Sequence, residues 1–204
     1  MDIHVLATFI VASAALLAIP GPTVTIVVGH AIAGGRGVAR ATVPGVVAGD
    51  FVAMTASLLG AGAILASSAS LFTALKIVGA VYLVWLGIKL WRAPAALDKA
   101  QARGPALKQR AVFWNCFTVT ALNPKDILFF VAFVPQFIDP AGPVLLQFVI
   151  LEATFLTMVA INIALWSFGA GHLRQAFQRP SRMRALNRVG GSLLIGAGVL
   201  TSRA

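Results

Sequence analysis

A polar interruption at Thr120-Ala-Leu-Asn-Pro-Lys-Asp126 constrains the fold of this chain most. It divides an apolar run from about Ala111 to Ile138 that is long enough to cross a bilayer. A charged residue at the centre of a spanning helix costs roughly 2.5–3.5 kcal/mol, and lipid cannot satisfy the carbonyls that a proline leaves free. Lys125 and Asp126 are adjacent and point about 100° apart on a helix, so we do not expect them to neutralise each other. The stretch therefore predicts a broken helix that lines a cavity or a bundle interior.

The composition places the chain among integral membrane proteins. Of 204 residues, 59% are hydrophobic and 11% are charged, against about 25% charged in soluble domains. We expect one transmembrane domain over residues 1–204. The net charge of +10 indicates orientation in a membrane rather than nucleic-acid binding, because the cations lie between the apolar runs. The single cysteine, Cys116, excludes an intramolecular disulfide and a dithiol redox cycle.

Apolar length predicts six membrane spans in an all-α fold, at 1.5 Å of rise per residue. Thirteen of the 16 lysines and arginines fall in, or within three residues of, the three odd-numbered connections between the spans. The positive-inside rule then places these basic loops in the cytoplasm and both termini outside. The predicted spans are about Ile3–His30, Val38–Ala66, Leu71–Trp91, Ala111–Ile138, Val144–Gly169 and Leu186–Thr201.

The two halves of the chain resemble each other. Leu75-Lys-Ile-Val-Gly79 matches Leu186-Asn-Arg-Val-Gly190 without gaps, and Ala18-Ile-Pro-Gly-Pro22 corresponds roughly to Ala121-Leu-Asn-Pro-Lys125. Repeats of three spans each must have opposite topology in the membrane. Helices broken at corresponding places in two inverted repeats indicate a transport site near the midplane.

These matches define the predicted organisation. Repeat 1 covers about residues 1–92 and repeat 2 covers about 111–204, with a cytoplasmic loop of about 93–110 between them. The first and fourth spans are the broken helices. A kink that serves packing alone is the alternative interpretation of Pro20-Gly-Pro22.

Asp50 is the ionisable residue that the sequence places deepest in span 2. Intramembrane carboxylates mark ion and substrate pathways, and such a group can bind and release a proton. Counting residues from the cytoplasmic ends puts a set of polar and helix-breaking residues in one layer about 6–9 Å thick, which is the rise of four to six residues. A structural ion pair with Lys125 is the alternative role for Asp50. The layer contains Pro20, Gly21, Pro22, Asp50, Asn123, Pro124, Lys125 and Asn162.

Further polar residues of the spans have less defined roles. We expect Asp126 and Glu152 to act as a gate or relay, with Glu152 nearer the outer face. Gly45 and Gly49 have the spacing that lets another helix approach closely, within the chain or in a homodimer. The three histidines lie at span ends without metal-ligand spacing, so we expect no metal site and no cofactor.

With these motifs the chain resembles the lysine-exporter (LysE/RhtB) family of bacterial amino-acid exporters. The block Asn123-Pro-Lys125 is the most specific of them. The others are Pro20-Gly-Pro22, Gly34-Gly-Arg-Gly37, Gly49-Asp50, Lys76 with Gly79-Ala-Val-Tyr-Leu-Val-Trp-Leu-Gly87, and Leu128-Phe-Phe-Val-Ala-Phe-Val-Pro-Gln-Phe137.

The resemblance implies six helices in two inverted three-helix repeats, in the bacterial inner membrane. It also implies export of small amino acids or close analogues, coupled to inward proton movement. The family pattern has a small or apolar residue where this chain has Asp126. It commonly has an aspartate in span 5, for which Asn162 and Glu152 are the candidates. The resemblance implies substrate and coupling roles for Pro20, Gly21, Pro22, Asp50, Asn123, Pro124 and Lys125.

The expected mechanism assigns one end of a zwitterion to each polar group. Lys125 and the helix N-termini would bind the carboxylate, while Asp50 and freed carbonyls would bind the ammonium. Protonation of Asp50 from outside would then release the amino acid. The alternative is export of a metal or other inorganic ion, and an enzyme is disfavoured because the histidines lie at the span ends.

Overall fold

The computed structural model describes residues 2–18, 21–92, 108–139, 141–177 and 180–201, and all regular structure in these ranges is helical. The all-α prediction is confirmed to this extent. Short 3₁₀ turns occur at Arg36–Val38 and Val134–Phe137. The α-helices are α1 (Ile3–Ala18), α2 (Pro22–Gly34), α3 (Ala39–Ser67), α4 (Ala69–Trp91), α5 (Gln109–Ala121), α6 (Pro124–Ala132), α7 (Val144–Phe177) and α8 (Pro180–Thr201).

Several of these helices are suited to a bilayer. α3 over Ala39–Ala63 and α7 over Val144–Gly169 are each long and apolar enough to cross it alone. α1 with α2, and α5 with Pro124–Phe137, form two further apolar pairs, bent by 56° and 48° at the predicted breaks. Large apolar side chains on α7 face outward, because in lipid they lose nothing by exposure. The structure thus supplies up to four spans by length and composition within the described residues.

Helices α7 and α8 differ from the predicted spans at one end each. α7 continues to Phe177 beyond the predicted end at Gly169, and α8 begins at Pro180 before the predicted start at Leu186. The prediction followed apolar length, which ends where polar residues begin. Backbone hydrogen bonding continues into such polar segments, because a helix needs no apolar side chains once it leaves the hydrocarbon.

Glycines bring α3 against α5. A Cβ added at Gly45 would lie 2.7 Å from the Phe113 carbonyl oxygen, and one at Gly49 would lie 2.8 Å from the Phe117 carbonyl oxygen. The two backbones therefore touch where any larger residue would push them apart. Since contacts advance together along both helices, α3 and α5 run parallel. The close-packing role predicted for this glycine pair is fulfilled within one chain.

Two other helix pairs run antiparallel. Thr42 and Thr55 of α3 bond Ser167 and Glu152 of α7, at 2.9 and 2.6 Å, so the residue order reverses between the helices. In the α4–α8 pair, a Cβ added at Gly87 would lie 2.7 Å from the Gly191 carbonyl oxygen.

The direction of α8 follows from its next contact with α4. The Trp91 indole donates to Ser192 Oγ at 3.2 Å, and the Arg188 guanidinium lies over the Trp91 ring. Gly87 also contacts Ile195, whereas Trp91, one turn further along α4, contacts the earlier residues Arg188 and Ser192 of α8. The residue order therefore reverses, and α4 and α8 run antiparallel.

An aromatic cluster lies beside the break between α5 and α6. Phe129, Phe130 and Phe133 of α6 are buried and pack on one another and on Phe155 of α7. Ring pairs in edge-to-face geometry stabilise such contacts beyond their buried area. The cluster fixes α6, and with it the polar residues at the start of that helix.

Candidate functional site

The first break leaves helix ends facing the protein interior. α1 ends at Ala18, and α2 begins at Pro22 with Gly21 as its N-cap in an extended conformation. No side chain caps α2, so backbone N–H groups of its first turn have no helical partner. Pro22 at the first helical position lacks an N–H and has a φ already suited to a helix. Pro20 lies outside the described residues.

The second break has a side-chain cap. α5 ends at Ala121, and Asn123 is the N-cap of α6, where its Oδ1 accepts from the Lys125 N–H at 3.2 Å. Pro124 occupies the first helical position of α6. An asparagine followed by a proline is a strong signal for a helix start, since one caps and the other needs no donor. Pro124 thus begins a second half-helix rather than kinking a continuous one.

The two breaks meet each other. Lys125 Nζ donates to the carbonyl oxygen of Leu16, in the last turn of α1, at 3.4 Å. A Cβ added at Gly21 would lie 3.4 Å from the same nitrogen. Cations are stabilised at helix C-termini by the free carbonyls and the helix dipole. Lys125 therefore holds the end of α1 to the start of α6.

Hydroxyl groups complete this junction. Thr23 Oγ1, in the first turn of α2, accepts hydrogen bonds at 3.4 Å from Asn123 Nδ2 and from Thr120 Oγ1. Asn123 Nδ2 also donates to Asp126 Oδ2 at 2.6 Å. Thr23, Thr120, Asn123 and Asp126 are all buried. The result is a polar network inside a bundle that is otherwise apolar.

Asp50 reaches this network from α3. It is 3% exposed and interacts electrostatically with both Asp126 and Lys125. Its Oδ1 is buried and accepts no hydrogen bond from the residues that the structure describes. Leaving a carboxylate oxygen buried without a donor is costly, so such an atom is suited to binding a cationic group or a proton.

The expectation that Lys125 and Asp126 do not neutralise each other is wrong. Lys125 Nζ lies 3.9 Å from Asp126 Oδ1. The two Cα–Cβ bonds do diverge on α6, but the flexible four-carbon stem of the lysine brings its ammonium back toward the aspartate. We define the carboxylate cluster as Asp50, Asp126 and Lys125. With both carboxylates ionised, it carries one excess negative charge.

Asn162 of α7 faces the last turns of α1. It lines a pocket of about 240 Å³ with Ala14, Leu17 and Ala18, and its Oδ1 is buried without a partner among the described residues. Glu152 lies elsewhere on α7 and accepts from Thr55 Oγ1 at 2.6 Å. The predicted membership of Asn162 in the substrate layer stays a prediction.

Sequence reasoning assigned neither Thr23 nor Thr120 to the site. The internal repeat contained a signal for the first of these, because the match of Pro22 with Lys125 pairs Thr23 with Asp126. The helix starts suggest a register one residue different, in which Pro22 corresponds to Pro124. In that second register Thr23 corresponds to Lys125, and each of these two residues contacts the other break.

The site offers hydrogen bonding and charge, and no metal centre is apparent. Among the described residues no three His, Cys, Asp or Glu side chains lie together as metal ligands would. Among these residues no such cluster of ligands supports the alternative function, export of a metal or other inorganic ion. Helix breaks, buried carboxylates and an intramembrane lysine are features that mark substrate and ion sites in membrane proteins.

These features match a known class of membrane translocators. The family described as LysE type translocator matches residues 14–203, so the chain belongs to this family. The predicted resemblance is confirmed, and the protein is a multi-pass membrane protein of a transporter family.

Sequence similarity to relatives, some of them named for a transport role, extends over most of the chain. An uncharacterized membrane protein of Vibrio cholerae is 33% identical over 100% of this chain and 99% of the relative. A homoserine/homoserine lactone efflux protein of Salmonella typhi is 36% identical over 89% of this chain and 86% of the relative. A leucine efflux protein of Klebsiella pneumoniae is 33% identical over 65% of this chain and 62% of the relative. No solved structure matches the chain.

Proposed function

We propose that this protein exports small amino acids or close analogues across the bacterial inner membrane. One observation carries the proposal: the buried, unpartnered carboxylate oxygen of Asp50 faces the junction of two broken helices. An amino-acid ammonium is the group that such an oxygen binds best. Because relatives are named for efflux of homoserine, homoserine lactone and leucine, these compounds are the first substrates to test.

The site residues have distinct proposed roles. Asp50 binds the substrate ammonium, and the first turn of α2 at Gly21, with Thr23, contacts the rest of its polar backbone. Asn123 and Pro124 set the start of α6, so that Lys125 reaches the end of α1. Pro20 and Pro22 keep the first break open to the substrate. This assignment alters the sequence-based mechanism, since Lys125 already contacts a carboxylate and a carbonyl.

Proton antiport would couple transport to the membrane gradient. A proton that arrives at Asp50 from outside replaces the ammonium and releases the substrate there. Glu152 is the proposed outer relay, since its partner Thr55 lies five residues beyond Asp50 on α3, about 7.5 Å along the helix. Asn162 remains a candidate contact from α7, because its buried amide oxygen lies beside the last turn of α1.

The proposed architecture is six spans in two inverted repeats, with α4 and α8 as the third and sixth. The antiparallel α3–α7 and α4–α8 pairs support it, since corresponding helices of inverted repeats run in opposite directions. The basic loops would lie in the cytoplasm and both termini outside. A homodimer would use a face other than Gly45 and Gly49, because α5 of the same chain covers them.

Amino-acid export by living bacteria tests the proposal. Cells that produce the protein are loaded with leucine- or homoserine-containing dipeptides, and the amino acids that accumulate in the medium are measured. We expect accumulation with the wild type and a loss of at least about tenfold with Asp50→Asn, since the amide has no charge to hold an ammonium.

The matched control is Asp139→Asn, on the connection before α7, where the exposed side chain accepts the Ala141 N–H and an asparagine oxygen can do the same. It should export like the wild type. Unchanged export by Asp50→Asn would contradict the role of Asp50. Flat amino-acid profiles for the wild type, with the protein present in the membrane, would contradict the function itself.

A further inference from the structure

The charge balance of the carboxylate cluster decides which end of a substrate the site recognises. Lys125 is the one cation in the cluster, and its ammonium lies between two acceptors. It is 3.9 Å from Asp126 Oδ1 and 3.4 Å from the Leu16 carbonyl oxygen. A substrate carboxylate would have to compete with both acceptors and, with Asp50 and Asp126 both ionised, would approach a cluster that is negative overall.

Asp126 is held firmly in this position. Asn123 Nδ2 donates to Asp126 Oδ2 at 2.6 Å, and Asn123 is itself fixed as the N-cap of α6. Asp126 is buried, so its charge acts on Lys125 in surroundings where water screens little. Asp126 thus offsets the charge of Lys125 within the cluster.

Asp50 differs from Asp126 in its hydrogen bonding. Its Oδ1 lacks a donor among the described residues, and Asp126 adds to the negative charge around it. The start of α2 also offers hydroxyls and helix N–H groups, which can donate to a neutral carbonyl as well as to a carboxylate. Of the two ends of an amino acid, the ammonium therefore meets the stronger partner.

We infer that Asp126 is a specificity-determining residue: by neutralising Lys125 it makes the ammonium of the substrate essential and its free carboxylate dispensable. The inference rests on the proposed function, because it concerns the same site. The substrate class then includes amino-acid amides and esters as well as amino acids. N-acylated amino acids, which lack the ammonium, fall outside it.

Competition binding to the detergent-purified full chain tests this inference. Labelled leucine is displaced by leucine, leucinamide and N-acetylleucine, and a parallel series uses labelled homoserine with homoserine amide and N-acetylhomoserine. We expect each amide to compete within about threefold of its parent amino acid, and each N-acetyl compound to compete at least about tenfold more weakly, because a buried charge pair is lost.

The variant Asp126→Asn should change this ranking. Freeing Lys125 should raise the affinity for leucine relative to leucinamide by about tenfold. Asp139→Asn, which removes a carboxylate outside the cluster, should leave the ratio unchanged.

Two outcomes separate failure of the inference from failure of the function. Leucine or homoserine binding that the amide does not displace would overturn the inference and leave amino-acid export standing. That comparison uses only the wild type, so it holds even where the variant folds poorly. Absence of saturable binding of both labelled amino acids would overturn the proposed function together with the inference.

Discussion

At the scale of single residues, the site depends on polar groups that satisfy one another in the absence of water. Thr23 shows this best, because one hydroxyl oxygen on α2 accepts from both Asn123 and Thr120 across the junction. In a membrane interior each donor that loses its acceptor has few alternatives. A side chain that touches no charge therefore still determines how the two breaks meet.

Replacement of Thr23 with the isosteric valine tests this role. Thr23→Val should destabilise the protein by about 1–3 kcal/mol, because two buried donors lose an acceptor. It should also reduce leucine or homoserine export, since the first break loses its link to the second. Thermal unfolding in detergent and the dipeptide export assay measure the two effects.

The matched control for this change is Thr157→Val. The exposed Thr157 hydroxyl donates only locally, to the Ala153 carbonyl oxygen of its own helix, at 2.7 Å. Unfolding should move little in this variant. Equal loss of stability in both variants would mean that the hydrogen bonds across the breaks stabilise the protein no more than a local hydrogen bond within one helix.

At the scale of helices, backbone contact between α3 and α5 sets the position of Asp50. Gly49 precedes Asp50 directly, and its Cα faces the Phe117 carbonyl and Thr120. The same close approach thus places the carboxylate beside the second break. The glycine spacing was visible in the sequence, but the identity of the partner helix was not.

Replacing two glycines of α3 with alanine separates the effect of the α3–α5 contact on stability from the effect of helix propensity. Gly49→Ala should destabilise by about 1–3 kcal/mol, because its Cβ would lie 2.8 Å from backbone that cannot yield without moving α5. Gly60→Ala meets nothing within 4 Å and gains the same helix propensity, so it should be neutral or slightly stabilising. Denaturation in detergent gives both values. A stable Gly49→Ala protein would contradict the close α3–α5 contact.

At the scale of the whole molecule, helices from both halves of the chain pack on one another. α3 runs parallel to α5 and antiparallel to α7, α4 runs antiparallel to α8, and the two breaks meet through Lys125 with Leu16 and Asn123 with Thr23. The contacts thus favour a pseudo-symmetric bundle around a site shared by both halves.

The predicted orientation is testable by cysteine labelling. A membrane-impermeant maleimide should label Ala141→Cys in intact cells, because the connection before α7 is predicted to lie outside. Gln109→Cys, which follows the basic loop, should be labelled only after permeabilisation.

The wild type is the control for this labelling, since its one cysteine, Cys116, is buried and should not react. The reverse labelling pattern would place the basic loops outside. It would thereby contradict the orientation predicted from the cations.

Much of this protein follows from sequence patterns whose physical cause is local. Apolar length identified the membrane class, and Pro22 and Pro124 marked the starts of half-helices, because a proline at the first helical position is a property of the backbone alone. Asp50, Asn123 and Lys125 were recognised as members of one site because charge and amides are costly at membrane depth.

Only the tertiary structure decided how those residues face one another. It paired Lys125 with Asp126 and Leu16, brought Thr23 into the junction, and placed Asn162 beside the last turns of α1. Depth along a helix can be counted from sequence, whereas rotation about the helix axis and the choice of partner helix depend on packing between distant segments. The charge of each site residue was thus set by sequence, and its partner by the fold.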